Sequence, residues 1–314
     1  MSIDLELSLL NLEAGGLQPD GSYDFGGLLR AFVEPPAPHL LMICECKFWH
    51  ARGKTPFRTA IRQLSTLTGR HYVGELFTGP LGTAVIYDPT VLHLDAGEEP
   101  DFPDKRNLAR FSLYDTPDYR FWAFVEHWPY HDGDQRLARA KLLARYGTAT
   151  MPTLLAGDNN GSGTGPHLPA VDWQTVPIAT RDYKGQLTDG IWGPDTRAVD
   201  RLIGRWDNRT GRRIDGAGFH HVAELDPDAP NPLPPTVNAG SGLHIDHILI
   251  NDAFLNRAHV VAGSYRVHIP PAQDPARWPS DHRRISCTLR LHTPETATTP
   301  RPEVTSATTS TQGK

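Results

Sequence analysis

Several short stretches of this chain carry side chains that can hold a phosphate and a divalent cation. Ser280-Asp281-His282 sets a carboxylate beside an imidazole just ahead of an apolar run, residues 284–289, and so puts an anionic ligand next to a proton donor or acceptor. Three other apolar runs end on Asn11, Glu45 and Asp158, a fourth ends on His127, and Asp246 lies inside a fifth. Oxygen donors of this kind suit Mg²⁺ or Mn²⁺ better than zinc. Each residue alone also has an ordinary explanation. Asn11 can satisfy backbone at a strand end, Glu45 can face solvent, Asp158-Asn159-Asn160-Gly161 can be a turn, and His127 ahead of Trp128-Pro129 can pack in the core. Position makes them a set, because strand ends in open α/β sheets are where sites assemble from residues far apart in sequence.

The elements that must position them can be followed along the chain. Residues 5–12 alternate so that Leu5, Leu7, Leu9 and Asn11 share one face of a strand. Asp24 can cap a helix with Phe25, Leu28, Leu29 and Phe32 on one stripe, and Pro35-Pro36 ends it. Residues 39–45 read as a buried strand. Thr55-Pro56 opens a second helix, with Phe57, Ala60, Ile61, Leu64 and Leu67 on its apolar face and Gly69 closing it. From 72 to 127 successive strands with short turns read as an antiparallel meander. Asp132 and Gln135 start a helix that Gly147 ends, and residues 152–158 form another strand. The glycine-rich loop after it, Gly161 to Gly165, is expected to be a flexible rim. A helix is expected over 195–206, carrying Arg197, Arg201 and Arg205 at four-residue spacing, with Arg209, Arg212 and Arg213 following in a loop. Residues 226–240 read as a long Pro-rich surface loop and 243–250 as a strand. Residues 293–314, rich in Thr, Pro and Ser, read as a disordered tail.

Composition narrows the class. At 314 residues, with 39% hydrophobic and 21% charged side chains, the chain can bury a sizeable core, and a net charge of -5 argues against coating a polyanion by bulk charge. Any nucleic-acid contact must then be local. Cys44, Cys46 and Cys287 have neither zinc spacing nor an even disulfide count, which fits a reducing compartment. The first residues lack the features of a signal peptide, and no apolar run approaches the roughly 20 residues that cross a bilayer, so a soluble, cytoplasmic protein without membrane insertion is expected. Gly53-Lys54-Thr55 is not a phosphate loop, because the first glycine of that motif would have to be Phe48. No Gly-x-Ser-x-Gly elbow occurs. His244, Asp246 and His247 with His220 or His221 offer a zinc cluster, at a spacing that matches no standard site.

In their order these motifs resemble the endonuclease/exonuclease/phosphatase superfamily, the fold shared by deoxyribonuclease I, AP endonucleases, inositol polyphosphate phosphatases, neutral sphingomyelinases and deadenylases. Leu10-Asn11-Leu12 looks like its first strand, Cys44-Glu45 like its Gln-Glu pair, Gly82-Thr83-Ala84 like its Gly-x-Ala strand and His127 like the histidine of Thr-His-Leu. Gly157-Asp158-Asn159-Asn160 resembles Gly-Asp-Phe-Asn, Ile245-Asp246-His247-Ile248-Leu249 resembles Ile-Asp-Tyr-Ile-Leu, and Ser280-Asp281-His282 the closing Ser-Asp-His. Cys44, Asn159 and His247 depart from the family pattern, and Glu13 falls where some AP endonucleases carry a metal-site aspartate. The resemblance implies a four-layer α/β sandwich, two mainly antiparallel central sheets flanked by helices, with residues 1–292 as the catalytic domain. It implies Mg²⁺ or Mn²⁺ held by Glu45 with Asn11 and Asp281, and a water oriented or deprotonated by Asp158 with Asn160 fixing its position. His282, oriented by Asp246, would bond the phosphate, and His127 would stabilise the transition state. The expected substrate is nucleic acid, since the Arg197–Arg213 segment can line a backbone groove. A phosphatase or phosphodiesterase acting on a phospholipid, inositol phosphate or nucleotide is the second expectation, and a noncatalytic binding protein the third.

Overall fold

The alternation of apolar residues along the strands decides the layering. A computed structural model of the chain describes residues 2–77, 79, 81–95, 107–238, 242–270 and 280–292; the expected tail, 293–314, lies outside the described residues. The chain opens with β1 (Ser2–Asn11), α1 (Gly26–Ala31), β2 (Leu40–Lys47), α2 (Ala51–Thr68) and the hairpin β3 (Val73–Leu76) and β4 (Leu81–Tyr87). Then come β5 (Leu92–Leu94), β6 (Leu108–Leu113), β7 (Arg120–His127), α3 (Gly133–Gly147) and β8 (Thr153–Asp158). A peripheral region follows: α4 (Ile178–Lys184), β9 (Gly185–Thr188), β10 (Ile191–Pro194), α5 (Arg197–Ile203), β11 (Arg205–Asp207) and β12 (Arg212–Ile214). The chain returns through β13 (Phe219–His221), α6 (Val222–Leu225), β14 (Asp246–Asn251), α7 (Asp252–Leu255), β15 (Ala258–Val260), β16 (Arg266–Val267) and β17 (Ile285–His292).

One sheet has the order β15-β17-β1-β2-β4-β3, with β16 on β17, and the other β13-β14-β8-β7-β6-β5. Among the described strands of these sheets, β1 with β2 and β7 with β8 run parallel and the other pairs antiparallel. Leu5, Leu7 and Leu9 join Phe121, Ala123, Val125, Leu154 and Ile248 in a cluster between the two sheets. Leu10, Leu41 and Ile43 face the other way, onto Leu28 of α1 and Phe57, Ala60 and Leu64 of α2. Phe124, Leu155 and Leu249 back onto Leu143 of α3 and Leu202 of α5. Helices, sheet, sheet and helices therefore stack in four layers, as the resemblance implied.

The strands between 72 and 127 form where expected but do not make one meander. β3 and β4 belong to the first sheet and β5, β6 and β7 to the second, so the turn at 88–91 carries the chain across the sandwich. The helix expected over 195–206 ends at Ile203, because Arg205 already pairs with Ile214 in a hairpin. Its arginines do not act as one stripe. Arg197 is tied to Asp195 and Asp134, Arg213 to Glu224, and Asp200 accepts from Thr164 instead of supporting an arginine four residues away. The glycine-rich loop is no flexible rim: residues 159–163 are buried, and Gly163 packs against Val199 and Ile203. The Pro-rich loop is partly internal, with Leu233 and Thr236 buried.

Gly157 is needed for close packing. A Cβ there would collide with the Glu126 carbonyl oxygen on β7. Gly157→Ala is expected to push β7 from β8 and to cost about 1–3 kcal/mol, as overpacking does, read by denaturant unfolding. An unchanged midpoint would contradict this.

Candidate active site

Parity brings the strand-end residues together. Asn11, His127, Asp158 and Asp246 continue the rows of β1, β7, β8 and β14 whose apolar members face the space between the sheets. Register aligns them, with Asn11 opposite Cys44, His127 opposite Asp158, and Asp158 opposite Asp246. Glu45 has the wrong parity for this cleft, since Cys44 faces inward. A bulge corrects it: between Ile43 and Cys46, β2 spends one residue more than β4, and Glu45 takes φ 60. Glu13, Ala14 and Asn160 also hold positive φ, so backbone strain gathers at this end of the sandwich.

Asp158 is the centre. Its Oδ2 accepts from Asn11 Nδ2 at 3.0 Å and lies 3.6 Å from both His127 Nε2 and His282 Nε2. Its Oδ1 accepts from the Asn160 backbone N–H at 2.8 Å. Burial alone would raise the Asp158 pKa, but His282, His127 and Lys184 outweigh it and hold the carboxyl below its ordinary range. His282 Nδ1 bonds Asp246 Oδ2 at 2.8 Å. Burial would lower this imidazole, yet Asp246 and Asp158 on its two sides raise it to about 10, so it is an imidazolium at neutral pH. Burial raises the Asp246 carboxyl against the pull of His282, and among the described residues its second oxygen, Oδ1, has no partner.

Glu45 joins the same network. Its Oε1 lies 3.2 Å from Asn11 Nδ2 and 3.6 Å from His127 Nε2, and its Oε2 accepts from the Ala14 N–H at 2.8 Å. Asn11 turns its amide nitrogen toward Glu45 and Asp158 while its oxygen accepts from the Glu13 N–H, so here it bridges carboxylates as a donor. Asp281 is exposed, with Oδ1 accepting from Ser280 Oγ at 3.1 Å. Desolvation, then the Asp281 and Glu45 carboxylates, raise the pKa of Glu13. Glu45, Asp281 and Glu13 can serve as oxygen donors to a hard divalent cation, and Asp158, Asp246 and His282 place ligand atoms within 4.8 Å of one another.

One residue of this network escaped the sequence. Lys184, at the end of α4, donates from Nζ to Asn160 Oδ1, while Asn160 Nδ2 donates to the Trp128 carbonyl at 2.9 Å. Burial is the first cause that lowers its pKa, to about 8, against the opposing pull of Asp158. Buried Arg136 holds the segment in place, donating to the carbonyls of Pro129, Tyr130 and Tyr183. Beside His127 a groove of 540 Å³ opens, lined by Trp128, Pro129, Gln135, Arg139 and Leu142.

The alternative histidine cluster forms in part. His221, His244 and His247 meet in the interior, whereas Asp246 turns to His282 and His220 to Asp252. The ring nitrogens are already used. His221 Nδ1 accepts from the Ala223 N–H, which leaves Nε2 protonated to donate to His247 Nδ1 at 3.1 Å, and His247 Nε2 donates to the Gly161 carbonyl. His244 bonds the Pro234 carbonyl and the Tyr265 hydroxyl. Burial holds the three rings neutral, each with one unprotonated nitrogen, and their ligand atoms lie within 4.8 Å of one another. Among the described residues, no helix is long and apolar enough to cross a membrane.

No protein-family model and no curated protein sequence matches the chain. Solved structures do. An endonuclease/exonuclease/phosphatase family protein from Bacteroides thetaiotaomicron is 17% identical, covering 93% of this chain and 100% of its own, at a TM-score of 0.54. The human Nocturnin catalytic domain with bound sulfate anion is 13% identical over 92% of this chain and 93% of its own, at 0.56. An AP endonuclease from Archaeoglobus fulgidus is 15% identical over 90% of this chain and 98% of its own, at 0.53. At such identities the likeness carries the architecture, and this chain therefore has the deoxyribonuclease I-like fold of the endonuclease/exonuclease/phosphatase proteins.

Proposed function

We propose that the chain is a metal-dependent phosphoester hydrolase that cleaves phosphodiesters by direct attack of water, with nucleic acid as its substrate. The observation that carries this reading is the convergence of Asn11, His127 and His282 on the buried, ionised Asp158 carboxylate, beside the carboxylates of Glu45, Glu13 and Asp281. A fold shared with an AP endonuclease supports it. A Mg²⁺ or Mn²⁺ ion held by Glu45 and Asp281, with Glu13 beside them, would polarise the phosphoryl group and offset charge on the leaving oxygen.

The side chains supply the rest. Asp158, kept ionised by its cationic neighbours, accepts the proton of the attacking water, and the Asn160 backbone N–H fixes its orientation. The 3.6 Å separations from His127 and His282 to Asp158 are too long for direct hydrogen bonds, so both imidazoles can turn their Nε2 to a phosphoryl oxygen beside the carboxylate. The His282 imidazolium, aimed by Asp246, donates from Nε2 to a phosphoryl oxygen, and His127 donates from the opposite strand. Lys184 adds positive charge where the pentacoordinate phosphorus gathers negative charge.

Nucleic acid is favoured by exposed Arg201, Arg209 and Arg212 in the peripheral region. A small phosphoester is the second reading, favoured by the ion pairs that occupy Arg197 and Arg213 and by the net charge of -5. Plasmid DNA, single-stranded RNA, bis-p-nitrophenyl phosphate and an inositol phosphate, each with Mg²⁺, Mn²⁺ or EDTA, separate the two. Metal-dependent cleavage of a polymer supports the first, turnover of the small esters alone supports the second, and no turnover on any of them overturns both.

Lys184 gives a further expectation. Its charge is lost as pH rises through about 8, so kcat/KM should fall across that range. Lys184→Met should flatten this alkaline limb and lower kcat about 10²-fold, the usual effect of removing one stabilising donor. A limb unchanged in the variant would assign the loss to another group.

A further inference from the structure

Behind the turn that carries His282 lies a cavity of 290 Å³. It sits between the end of α1 and the segments on either side of the 270–280 connection, with Arg30, Val33, His268, Ile269, Arg283 and Arg284 among its lining. Arg284 is 2% exposed, yet among the described residues it forms no ion pair with a carboxylate. Its Nη2 donates to the Glu34 carbonyl at 3.3 Å and to the His268 ring at 2.9 Å, and the guanidinium lies 4.7 Å above the Phe32 ring. Among the described residues, Nε and Nη1 have no partner. His268 is no counter-charge, since burial and then Arg284 push its pKa down to about 3. Arg283 spends its donors on Asn238 Oδ1 and the Pro235 carbonyl.

A guanidinium cut off from water, with two N–H groups unused and a cavity beside it, is an anion site waiting for its anion. The surrounding charge agrees: among the described residues Arg30 and Arg283 also form no carboxylate ion pair, and Glu34 is the one acidic residue of the lining. Ala31, Val33, Ile269 and Pro270 make the rest of the wall apolar. We propose that this cavity binds a small organic anion, its phosphate or carboxylate on Arg284 and its apolar body against Val33 and Ile269. The site is separate from the carboxylate cluster around Asp158. It shares with that cluster only the turn: His282 lines the cavity, and Arg284 follows two residues later.

Thermal unfolding of the full chain in EDTA tests this, because without a divalent cation the proposed hydrolytic site loses its main hold on phosphate. Inorganic phosphate, phenylphosphonate and benzoate are the probes, on wild type, Arg284→Met and Val33→Glu. Val33 is exposed at the rim, so its replacement adds a competing carboxylate without disturbing the core. A saturable rise in Tm of about 2–4 °C is expected for wild type at tenfold the Kd, larger for the probes with a ring. The rise should be lost in Arg284→Met and weakened in Val33→Glu. Phosphonate and benzoate acting alike would make the shared negative charge sufficient, and phosphonate alone would narrow the ligand to phosphoryl compounds. The proposal is overturned if no probe shifts the wild type, which leaves the cavity to water, or if all three proteins respond equally, which moves the anion to another site. Because hydrolysis plays no part, failure here leaves the proposed reaction standing, and failure of the reaction leaves this site standing.

Discussion

Asp158→Asn is expected to lower kcat about 10²- to 10⁴-fold, the range for loss of a positioned proton acceptor, while the protein stays folded. The amide fills the same space and can still accept from the Asn160 N–H, but it cannot take a proton from water. It also withdraws one of the two carboxylates that surround His282, so that imidazole should titrate below its present value of about 10. The charge it removes is stabilised by His282, His127 and Lys184, which hold the Asp158 pKa below its ordinary range, so Tm at neutral pH should fall modestly. Turnover measured beside an NMR titration of the histidines checks both parts. A variant within threefold of wild type would remove Asp158 from the reaction.

The second large effect is on stability. His221, His244 and His247 are fully enclosed, and burial first, then repulsion among the rings for His221 and His244, holds them neutral. His244 titrates near about 3 and His247 near about 4, with His221 well below the ordinary histidine range. Unfolded histidines take up protons near 6.5, so below that pH the unfolded chain binds more protons than the folded one. Their contribution to stability is therefore complete above about pH 6.5 and falls as pH drops toward 4, by about 1.4 kcal/mol per pH unit for each such histidine. His282 does not oppose this trend below about pH 6.5, because its raised pKa contributes stability that is fully present there and is lost progressively as pH rises from about 6.5 to about 10. Denaturant midpoints between pH 7.5 and 5 should show the slope, and His247→Gln, which keeps hydrogen-bonding capacity without the titration, should reduce it. A flat profile would contradict neutral burial.

The strand-end residues were legible because period two reports parity: a row such as Leu5, Leu7, Leu9 announces that Asn11 faces the same space. The helix at 133–147 was legible from its cap, Asp132 accepting from the backbone at Asp134 and Gln135, and Gly69, at φ 70, ends α2 as expected. But α2 opens at Ala51 after His50 with no side-chain cap, and Thr55 instead donates to the Arg52 carbonyl. Glu45 could be read as a strand end, but not the bulge that turns it inward, since one extra residue against β4 is a matter of register between strands. The crossing from β4 to β5 was hidden for a similar reason, as a short turn looks alike whether it stays in one sheet or leaves it. Lys184 carried no signal. It reaches Asn160 only through the packing of a peripheral segment held by Arg136, and nothing in its own neighbourhood points to the site. The buried histidine trio was half visible, its members named but grouped with Asp246, which belongs to the other side of β14's first turn of side chains.

Hydrolysis of bis-p-nitrophenyl phosphate by wild type and Glu45→Gln, with Mg²⁺ or Mn²⁺ titrated into EDTA-treated protein, tests most directly whether these strand ends form a metal-dependent phosphoesterase. Turnover that requires the cation, saturates with it, and falls about 10²-fold or more in Glu45→Gln is the predicted result. Turnover that persists in EDTA, or a variant with the metal response of wild type, would contradict it.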